Sequence, residues 1–285
     1  MVRRSVLFSP GDRPELMRKA PGTGADTIIF DLEDAVAPSR KDEARSAVRE
    51  LLTEDGFDPE CEVCVRVNPV DTGMVDDIAG LAGDGDLDDL RLDALMLPKA
   101  TSGKDVDALD EAYVGETPPV LALVESAAGV LGAADIAAAE STDALVFGAE
   151  DLSADVGATR TEEGTEVLYA REKVVVAAAA HEVDAIDTVY TDFSDSEGLA
   201  EETRFAIQLG YDGKMAIHPV QVDVINDAFT PDEGRIEWAR AVMEAKAEAD
   251  EDGRGVFQVD GEMIDAPLIT QAERVLERAR AADKI

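Results

Sequence analysis

The sequence is poor in cysteine, histidine and basic residues, and each shortage excludes a class of site or partner. It contains two cysteines and two histidines in 285 residues, and the two cysteines lack the second closely spaced ligand pair that a structural zinc site requires. Only 26 lysine and arginine residues stand against 63 acidic residues. No basic cluster is available to bind nucleic-acid phosphates or an anionic membrane. We therefore expect neither nucleic acid nor membrane among its partners.

Long hydrophobic runs are also lacking. No apolar run reaches the roughly 18 residues of a transmembrane helix. The N-terminal segment MVRRSVLFSPGDRPE has too short an apolar stretch for a signal peptide, so we expect a cytoplasmic protein. The two cysteines, Cys61 and Cys64, lie three positions apart in CEVCVRVN. On a strand they would point to opposite faces, which favours a structural role over redox chemistry.

Acidic residues dominate the charge. The formal net charge is −37, the isoelectric point is near 4.1, and the acids are spread along the chain. Hydrophobic residues make up 45% of the chain, enough to form a real core, so the sequence is not that of a disordered acidic tail. Such a surface suits a concentrated-salt cytoplasm, where ions screen self-repulsion. We expect a salt-adapted organism; an ordinary acidic protein is the alternative.

Short apolar runs alternate with amphipathic segments along most of the chain. The eight strand-like runs are Ser5–Pro10, Thr27–Asp34, Cys61–Pro69, Asp93–Ala100, Pro119–Ser126, Asp143–Asp151, Asp184–Tyr190 and Gly213–Pro219. Predicted helices between them include Ser39–Leu52, with Ser39 as N-cap, and Glu166–Val183. Eight such units predict an α/β fold, a (β/α)8 TIM barrel. An open doubly wound sheet is the alternative, but its GxGxxG fingerprint is missing after the first strand.

The rhythm changes after Pro219. Helices are predicted at Val220–Phe229, Asp232–Ala249 and Leu268–Ala282. We therefore assign residues 1–230 to the barrel and residues 231–285 to a C-terminal helical extension. This extension either covers the barrel as a lid or packs on a neighbouring subunit.

Polar residues follow the apolar part of most strands. They are Asp31, Glu33, Asp34, Arg66, Asn68, Lys99, Glu125, Glu150, Asp151 and His218. In a parallel barrel the carboxyl ends of all strands meet at one mouth, where catalytic groups collect. Polar residues also occur wherever a strand meets water, and that explanation accounts for part of the pattern.

Glu125 and Asp151 end neighbouring predicted strands, one strand–helix–strand step apart. Two carboxylates at one mouth repel each other unless a cation or a proton relieves them. Mg²⁺ typically takes one or two protein carboxylates and fills its other positions with water and substrate oxygens. The pair thus points to Mg²⁺, or to Mn²⁺, although spacing alone leaves open that the two acids are unrelated. Glu150 is expected to face away from Asp151 on an extended strand.

Several long motifs resemble one known family. They are RRSVLFSPGDRPELMRKAPGTGADTIIFDLEDAVAPSRKDEAR, VRVN, MLPKA, LVES, FGAEDLSADVGATRTEEGTEVLYAR, YDGKMAIHPVQ and MIDAP. Their order and spacing resemble the citrate lyase β-subunit-like (CitE-like) proteins, with the malyl-CoA and citramalyl-CoA lyases, in the HpcH/HpaI aldolase superfamily. The resemblance covers essentially the whole chain. It implies the same barrel fold, usually assembled as a trimer or a hexamer.

The resemblance also implies roles for individual residues. The family's magnesium ligands fall on Glu125 and Asp151 and its substrate-binding arginine on Arg66, which could hold a carboxylate or steady an enolate oxygen. Asp265 falls on the family's proton-transfer acid, delivered by a lid across a trimer interface; as a helix N-cap ahead of Pro267 it would be merely structural. Contacts to substrate or coenzyme A are expected from Phe8, Arg13, Lys19, Glu150, Ile217, His218 and Pro219. Lys19 would otherwise be a solvated residue, and His218 an ordering residue rather than a base.

The implied activity is carbon–carbon lyase chemistry dependent on Mg²⁺. The substrate would be a 3-hydroxyacyl-CoA such as malyl-, β-methylmalyl-, citramalyl- or citryl-CoA, with coenzyme A as part of it. Products would be a keto acid and acetyl- or propionyl-CoA. The alternatives are malyl-CoA thioesterase or malate synthase-like activity, a β subunit within a citrate lyase complex, and a non-catalytic CoA-binding protein.

Overall fold

Eight short parallel strands close into a barrel in this computed structural model, which describes residues 2–83, 85–251, 253, 255–282 and 284–285. The strands pair in sequence order, and β8 pairs with β1. They are β1 Ser5–Pro10, β2 Thr27–Asp31, β3 Glu62–Arg66, β4 Ala94–Leu97, β5 Val120–Val124, β6 Thr142–Phe147, β7 Asp184–Asp187 and β8 Gly213–Ala216. The predicted (β/α)8 barrel is confirmed.

Helices follow the strands along the chain. In chain order they are α1 Pro14–Met17, α2 Lys41–Leu52, α3 Met74–Ala82, α4 Gly103–Ala112, α5 Ala127–Ala137, α6 Ala149–Val156, α7 Leu168–Ala180, α8 Ser196–Leu209, α9 Val220–Phe229, α10 Glu233–Glu251 and α11 Ala266–Ala281. None of the helices in the described ranges is long and apolar enough to cross a membrane.

The chain divides into two compact units, Arg3–Ile225 and Asn226–Ile285, the second including Val2. In the second unit, α10 and α11 pack together with a hairpin of two short strands, β9 Phe257–Val259 and β10 Glu262–Ile264. Asp260 and Gly261 connect these strands, both with positive φ. Asp-Gly is a strong hairpin signal, although no hairpin was predicted at this position from the sequence. The predicted lid role of residues 231–285 stays a prediction.

One predicted helix start is wrong. Ser39 does not cap α2, because Pro38–Arg40 forms a 3₁₀ turn and the α-helix begins only at Lys41. The fixed φ of Pro38 suits the first position of that turn, and no side chain caps the helix.

Apolar side chains from alternate strand positions fill the barrel. The buried cluster comprises Val6, Ile29, Cys64, Ala94, Met96, Leu121, Leu123, Ala144, Val146, Ile186 and Met215, with Phe8 and Val189 packed against it. Cys64 is thus a core residue, while Cys61 lies just before β3, half-buried; both are free thiols. The predicted structural role of Cys64 agrees with this packing.

The amino-terminal end of the barrel is closed by a buried arginine. Arg3 donates to Glu62 through Nε at 2.8 Å and Nη2 at 2.6 Å, and Nη2 also lies 2.6 Å from Asp143. Its Nη1 reaches Asp184 at 2.9 Å. Because these acids lie at the first or second position of β3, β6 and β7, one guanidinium ties three strands together. Polar groups at this end therefore serve stability.

A second buried network lies beside the carboxyl end of β7. Arg171 binds Asp187 with two hydrogen bonds of 2.6 and 2.7 Å, and Lys214 Nζ donates to the same carboxylate at 2.8 Å. Glu202 forms further ion pairs with both cations. Burial raises the pKa of Asp187, but Lys214 and Arg171 outweigh burial and hold it below its usual value. Lys214 Nζ also donates to the Thr188 carbonyl at 2.8 Å and so fixes the turn after β7.

Candidate active site

A cavity of about 450 Å³ opens at the carboxyl ends of the strands. Several of its lining residues are the last of a strand or the first after it. The lining is Phe8, Pro10, Asp31, Asp34, Ala35, Arg66, Leu123, Glu125, Gly148, Ala149, Glu150, Asp151, Thr188, Val189, Met215 and Ile217. Barrel closure therefore brings together side chains from six predicted site positions, namely Phe8, Arg66, Glu125, Glu150, Asp151 and Ile217.

Glu125 is the buried acid of this cavity. It directly follows β5 and is 6% exposed. Burial, then the nearby charges of Glu33 and Asp151, raise the pKa of Glu125 from 4.5 to about 8. The backbone N–H of Lys99 donates to its Oε1 at 2.9 Å, which only partly offsets this effect. An acid held in this way is poised to bind a cation at neutral pH.

Asp151 reaches the cavity from a helix rather than from a strand. Strand β6 ends at Phe147, and Glu150 and Asp151 lie in the first turn of α6. The expectation that Glu150 sits on an extended strand and faces away is therefore wrong, since neighbouring helical residues do not point to opposite sides. Both line the cavity. Glu150 in addition accepts a hydrogen bond of 2.9 Å from Arg160.

The start of α6 is fixed by the barrel. The N–H of Ala149 donates to Thr188 Oγ1 at 3.1 Å, which links the helix to the turn after β7. Anionic side chains are favoured near the N-terminus of a helix, which suits Glu150 and Asp151. The position of Asp151 consequently depends on the turn after β7, which Lys214 fixes through its hydrogen bond to the Thr188 carbonyl.

Arg66 is already bound to acids of the barrel. Its Nε and Nη2 donate to the two oxygens of Asp31 at 2.7 and 2.6 Å. Its Nη1 lies 2.8 Å from Glu33 Oε2, but that oxygen is off the N–H direction, so the contact is an ion pair without an aligned hydrogen bond. The guanidinium also lies 4.9 Å above the Phe8 ring. The contact between Arg66 and substrate stays a prediction. It would use the N–H groups that do not donate to Asp31.

Lys99 and Glu33 belong to the site's surroundings, although neither was assigned a binding role from the sequence. Lys99 has φ 55°, a left-handed conformation that is uncommon outside glycine. Its backbone binds Glu125, and its Nζ donates to Glu33 Oε1 at 2.7 Å and lies 3.9 Å from Asp151 Oδ2. A strained backbone beside a buried acid is a typical mark of a functional site. The left-handed conformation of Lys99 could not be predicted from the sequence.

Three coenzyme A contacts were predicted near the N-terminus of the chain, and not all of them line the cavity. Phe8 lines it, whereas Arg13 and Lys19 are exposed. Arg13 precedes α1, and its nearest acid is Asp12 at 3.9 Å. Lys19 precedes the 3₁₀ turn Ala20–Thr23. Their roles stay predictions.

The predicted site residues after β8 are likewise divided between one that lines the cavity and two that do not. Ile217 lines the cavity, whereas His218 and Pro219 do not. His218 stacks on Phe193 with ring centroids 4.8 Å apart, and its Nδ1 accepts from the N–H of Val220 at 3.2 Å. This geometry agrees with an ordering role rather than that of a base.

Asp265 lies in the second compact unit. It is exposed and immediately precedes α11, with Pro267 in the first turn of the helix, but its side chain makes no capping hydrogen bond. The capping alternative is therefore not realised in this structure, and the predicted proton-transfer role stays a prediction.

The donor set fits a magnesium ion. Within the described ranges, no three or more His, Cys, Asp or Glu side chains are grouped to hold a metal, so a site with many protein ligands is not formed there. Glu125 and Asp151 line the same cavity, and the charge of Asp151 adds to burial and to the charge of Glu33 in raising the pKa of Glu125. Two carboxylates with room for water and substrate oxygens match the usual coordination of Mg²⁺.

We predict that Gly148→Ala lowers Mg²⁺ affinity at least tenfold. A Cβ at Gly148 would lie 2.6 Å from Glu125 Cβ and 2.9 Å from Glu125 Oε2, so the carboxylate must move; crowding of this kind costs about 1–3 kcal/mol. Calorimetric titration with Mg²⁺ measures the effect. Gly22→Ala is the matched control, because a Cβ at Gly22 meets nothing within 4 Å. Unchanged Mg²⁺ affinity in Gly148→Ala would contradict the assignment of Glu125 as a ligand.

Comparison with known proteins identifies the family. Residues 4–219 match the model of the HpcH/HpaI aldolase/citrate lyase family. The chain belongs to this family. It is 36% identical over 291 residues to the citrate lyase subunit beta of Leuconostoc mesenteroides subsp. cremoris, covering 98% of this chain and 94% of that protein. It is 35% identical over 301 residues to the human mitochondrial citramalyl-CoA lyase, covering 97% and 85% respectively.

A solved member of the family has a similar structure. The crystal structure of CitE from Mycobacterium tuberculosis, in complex with magnesium, acetoacetate and coenzyme A, superposes with a TM-score of 0.76 at 38% identity. The match covers 98% of both chains. The resemblance stated from the sequence motifs is thereby confirmed.

Proposed function

We propose that this protein is a magnesium-dependent carbon–carbon lyase that cleaves a 3-hydroxyacyl-CoA thioester into a keto acid and acetyl- or propionyl-CoA. The observation that carries the proposal is the buried Glu125, whose pKa is raised to about 8, in one cavity with Asp151 and Arg66. Membership of a family with relatives named citrate lyase subunit beta and citramalyl-CoA lyase supports the same chemistry.

The chemistry requires one carbon–carbon bond to break. The hydroxyl proton leaves, the hydroxyl oxygen becomes the carbonyl of the keto acid, and the bonding pair passes to the thioester as an enolate. A proton then returns to the enolate carbon. Bound magnesium would act as a Lewis acid on the substrate oxygens that it contacts.

The residues of the chain have separable tasks in this scheme. Glu125 and Asp151 would hold the metal. The free N–H groups of Arg66 would stabilise negative charge on the substrate or the enolate, since preformed donors in a water-poor site stabilise developing charge effectively. Asp31 and Glu33 orient that guanidinium. Asp265 of a neighbouring subunit would return the proton to carbon, delivered by a lid across a trimer interface.

The decisive experiment is product analysis with malyl-, β-methylmalyl-, citramalyl- and citryl-CoA, with Mg²⁺, Mn²⁺ or chelator, at low and at molar KCl. A lyase releases keto acid and intact acyl-CoA. Release of free coenzyme A would instead support a thioesterase. Failure to cleave any of these thioesters under all conditions would remove the proposal and favour a non-catalytic CoA-binding protein.

We predict that Asp265→Asn lowers kcat at least about a hundredfold, as expected for loss of a general acid, while Mg²⁺ affinity stays unchanged. Exchange of the acetyl-CoA methyl protons with deuterated water, followed by NMR, should be lost in parallel. Asp260→Asn, in the hairpin turn of the same unit, is the matched control. If Asp265→Asn retained full exchange and turnover, another group must supply the proton.

A further inference from the structure

We infer that the keto acid handled by this site carries a single carboxylate, as glyoxylate and pyruvate do, and that oxaloacetate is disfavoured. The inference rests on the proposed function and narrows it. The four candidate thioesters differ at this point: malyl- and β-methylmalyl-CoA yield glyoxylate, citramalyl-CoA yields pyruvate, and citryl-CoA yields oxaloacetate. Only the last product brings a second carboxylate into the cavity.

The charge of the cavity is the first observation. Among the described residues, five acidic side chains line it, together with one cation, Arg66. The acids are Asp31, Asp34, Glu125, Glu150 and Asp151. A divalent ion held by Glu125 and Asp151 would offset two of these charges. With that ion bound the lining still carries more negative than positive charge, and a first substrate carboxylate adds to the excess. A second carboxylate would therefore enter a cavity that is already negative.

Arg66 cannot offer a pair of parallel N–H donors to a substrate carboxylate, because that pair is already engaged. Arg66 uses Nε and Nη2 on both oxygens of Asp31, at 2.7 and 2.6 Å, and its Nη1 faces Glu33 at 2.8 Å. A carboxylate is best held by two parallel N–H donors of one guanidinium, and Asp31 occupies that arrangement. Arg66 can therefore stabilise one anionic oxygen but is poorly placed to grip an additional carboxylate.

Two further cations that bind acids of the site are also engaged. Lys99 donates to Glu33 at 2.7 Å, and Arg160 donates to Glu150 at 2.9 Å and also bonds to Glu166. Neither lines the cavity. Moving either one to a substrate carboxylate would leave an acid without its partner, which costs free energy wherever that acid is buried, as Glu33 is.

The apolar part of the wall is the second observation. Phe8, Leu123, Val189 and Met215 line the cavity and belong to, or pack against, the cluster that fills the barrel. Ile217 adds another apolar side chain. A hydrogen atom or a methyl group on the keto acid can pack against such a surface, whereas a carboxylate there would lose its water without gaining a partner.

Cleavage kinetics test the inference. We expect kcat/KM for the best of malyl-, β-methylmalyl- and citramalyl-CoA to exceed that for citryl-CoA by at least about tenfold, given the repulsion between unscreened charges a few ångströms apart. A citryl-CoA value equal to or above the others would overturn the inference while leaving the lyase proposal intact. No cleavage of any thioester would instead defeat the lyase proposal.

Binding provides a readout that is independent of turnover. Calorimetric titration of the Mg²⁺-loaded protein with glyoxylate, pyruvate and oxaloacetate should give at least tenfold weaker binding for oxaloacetate than for the better of the other two. Equal or tighter binding of oxaloacetate would overturn the inference.

A charge variant tests the cause. Asp34 lines the cavity and is exposed. Asp34→Asn should increase the ratio of citryl-CoA to citramalyl-CoA cleavage severalfold. Glu172→Gln, an exposed acid on α7 outside the cavity, removes the same charge and should leave the ratio unchanged. An Asp34→Asn ratio equal to that of Glu172→Gln would overturn the electrostatic argument.

Discussion

Glu125→Gln is expected to abolish measurable Mg²⁺ binding, to lower lyase activity at least about a thousandfold, and to stabilise the metal-free protein at alkaline pH. The amide keeps an oxygen to accept the Lys99 N–H at 2.9 Å but cannot carry the charge that a divalent ion requires. The loss in activity corresponds to about 4 kcal/mol in the activation free energy.

The stability effect has a defined pH dependence. Because burial and neighbouring acids raise the pKa of Glu125 from 4.5 to about 8 in the folded state, ionisation of this group opposes folding. Below pH 4.5 the group is protonated in both states and the variant gains nothing. Between pH 4.5 and pH 8 the variant becomes increasingly more stable than the parent protein. Above pH 8 its gain in the free energy of unfolding reaches roughly 3–5 kcal/mol, at 1.36 kcal/mol per unit of pKa difference.

Denaturant unfolding at several pH values, with chelator and at constant salt, measures this gain. Glu172→Gln again serves as the control and should show no pH-dependent difference from the parent protein. Adding Mg²⁺ should stabilise the parent but not Glu125→Gln, since a ligand stabilises only the state that binds it. Equal Mg²⁺ stabilisation of both proteins would sink the assignment of Glu125 as a ligand.

Asp187→Asn is expected to reduce the free energy of unfolding by about 3–5 kcal/mol, the usual cost of breaking a buried ion pair by removing one partner. The carboxylate is fully buried and is shared by Arg171 and Lys214, also buried. Without it, Glu202 alone would face two cations. Denaturant unfolding at neutral pH measures the change, and the exposed Asp76→Asn should alter stability by less than about 0.5 kcal/mol.

The pH dependence of this effect runs opposite to that of Glu125. The folded-state pKa of Asp187 lies below its usual 3.8, so its contribution is present above that value and is lost as the pH falls through the lower folded pKa. The difference between Asp187→Asn and the parent should therefore shrink in strong acid. A destabilisation below about 1 kcal/mol at neutral pH would show that the buried network is not cohesive.

Mg²⁺ affinity should respond to the same change. Lys214 holds the Thr188 carbonyl, and Thr188 Oγ1 accepts the N–H that begins α6, where Asp151 lies. Loss of this series of hydrogen bonds in Asp187→Asn should weaken Mg²⁺ binding severalfold in protein that is still folded. Asp76→Asn should leave Mg²⁺ binding unchanged.

Sequence patterns were enough to predict the barrel and the main acids of the cavity. Buried parallel strands must be apolar throughout, so the eight runs stand out from the amphipathic segments between them. A polar residue that ends such a run can only face the barrel mouth, which is why Arg66 and Glu125 were found. Spacing and the family motifs both indicated Asp151 as a ligand, although its local structure was assigned wrongly: the strand ends at Phe147, and a helix begins at Ala149.

Only the tertiary structure decided how these groups are paired. Asp31 and Arg66 are opposite each other in the β2–β3 register, and that closeness, 35 positions apart, commits the arginine to an acid of its own chain. The left-handed Lys99 and the raised pKa of Glu125 likewise follow from burial and from neighbours on other strands. Residue type and spacing determine which groups reach the mouth, but electrostatic energies depend on distances that are set only when the barrel closes.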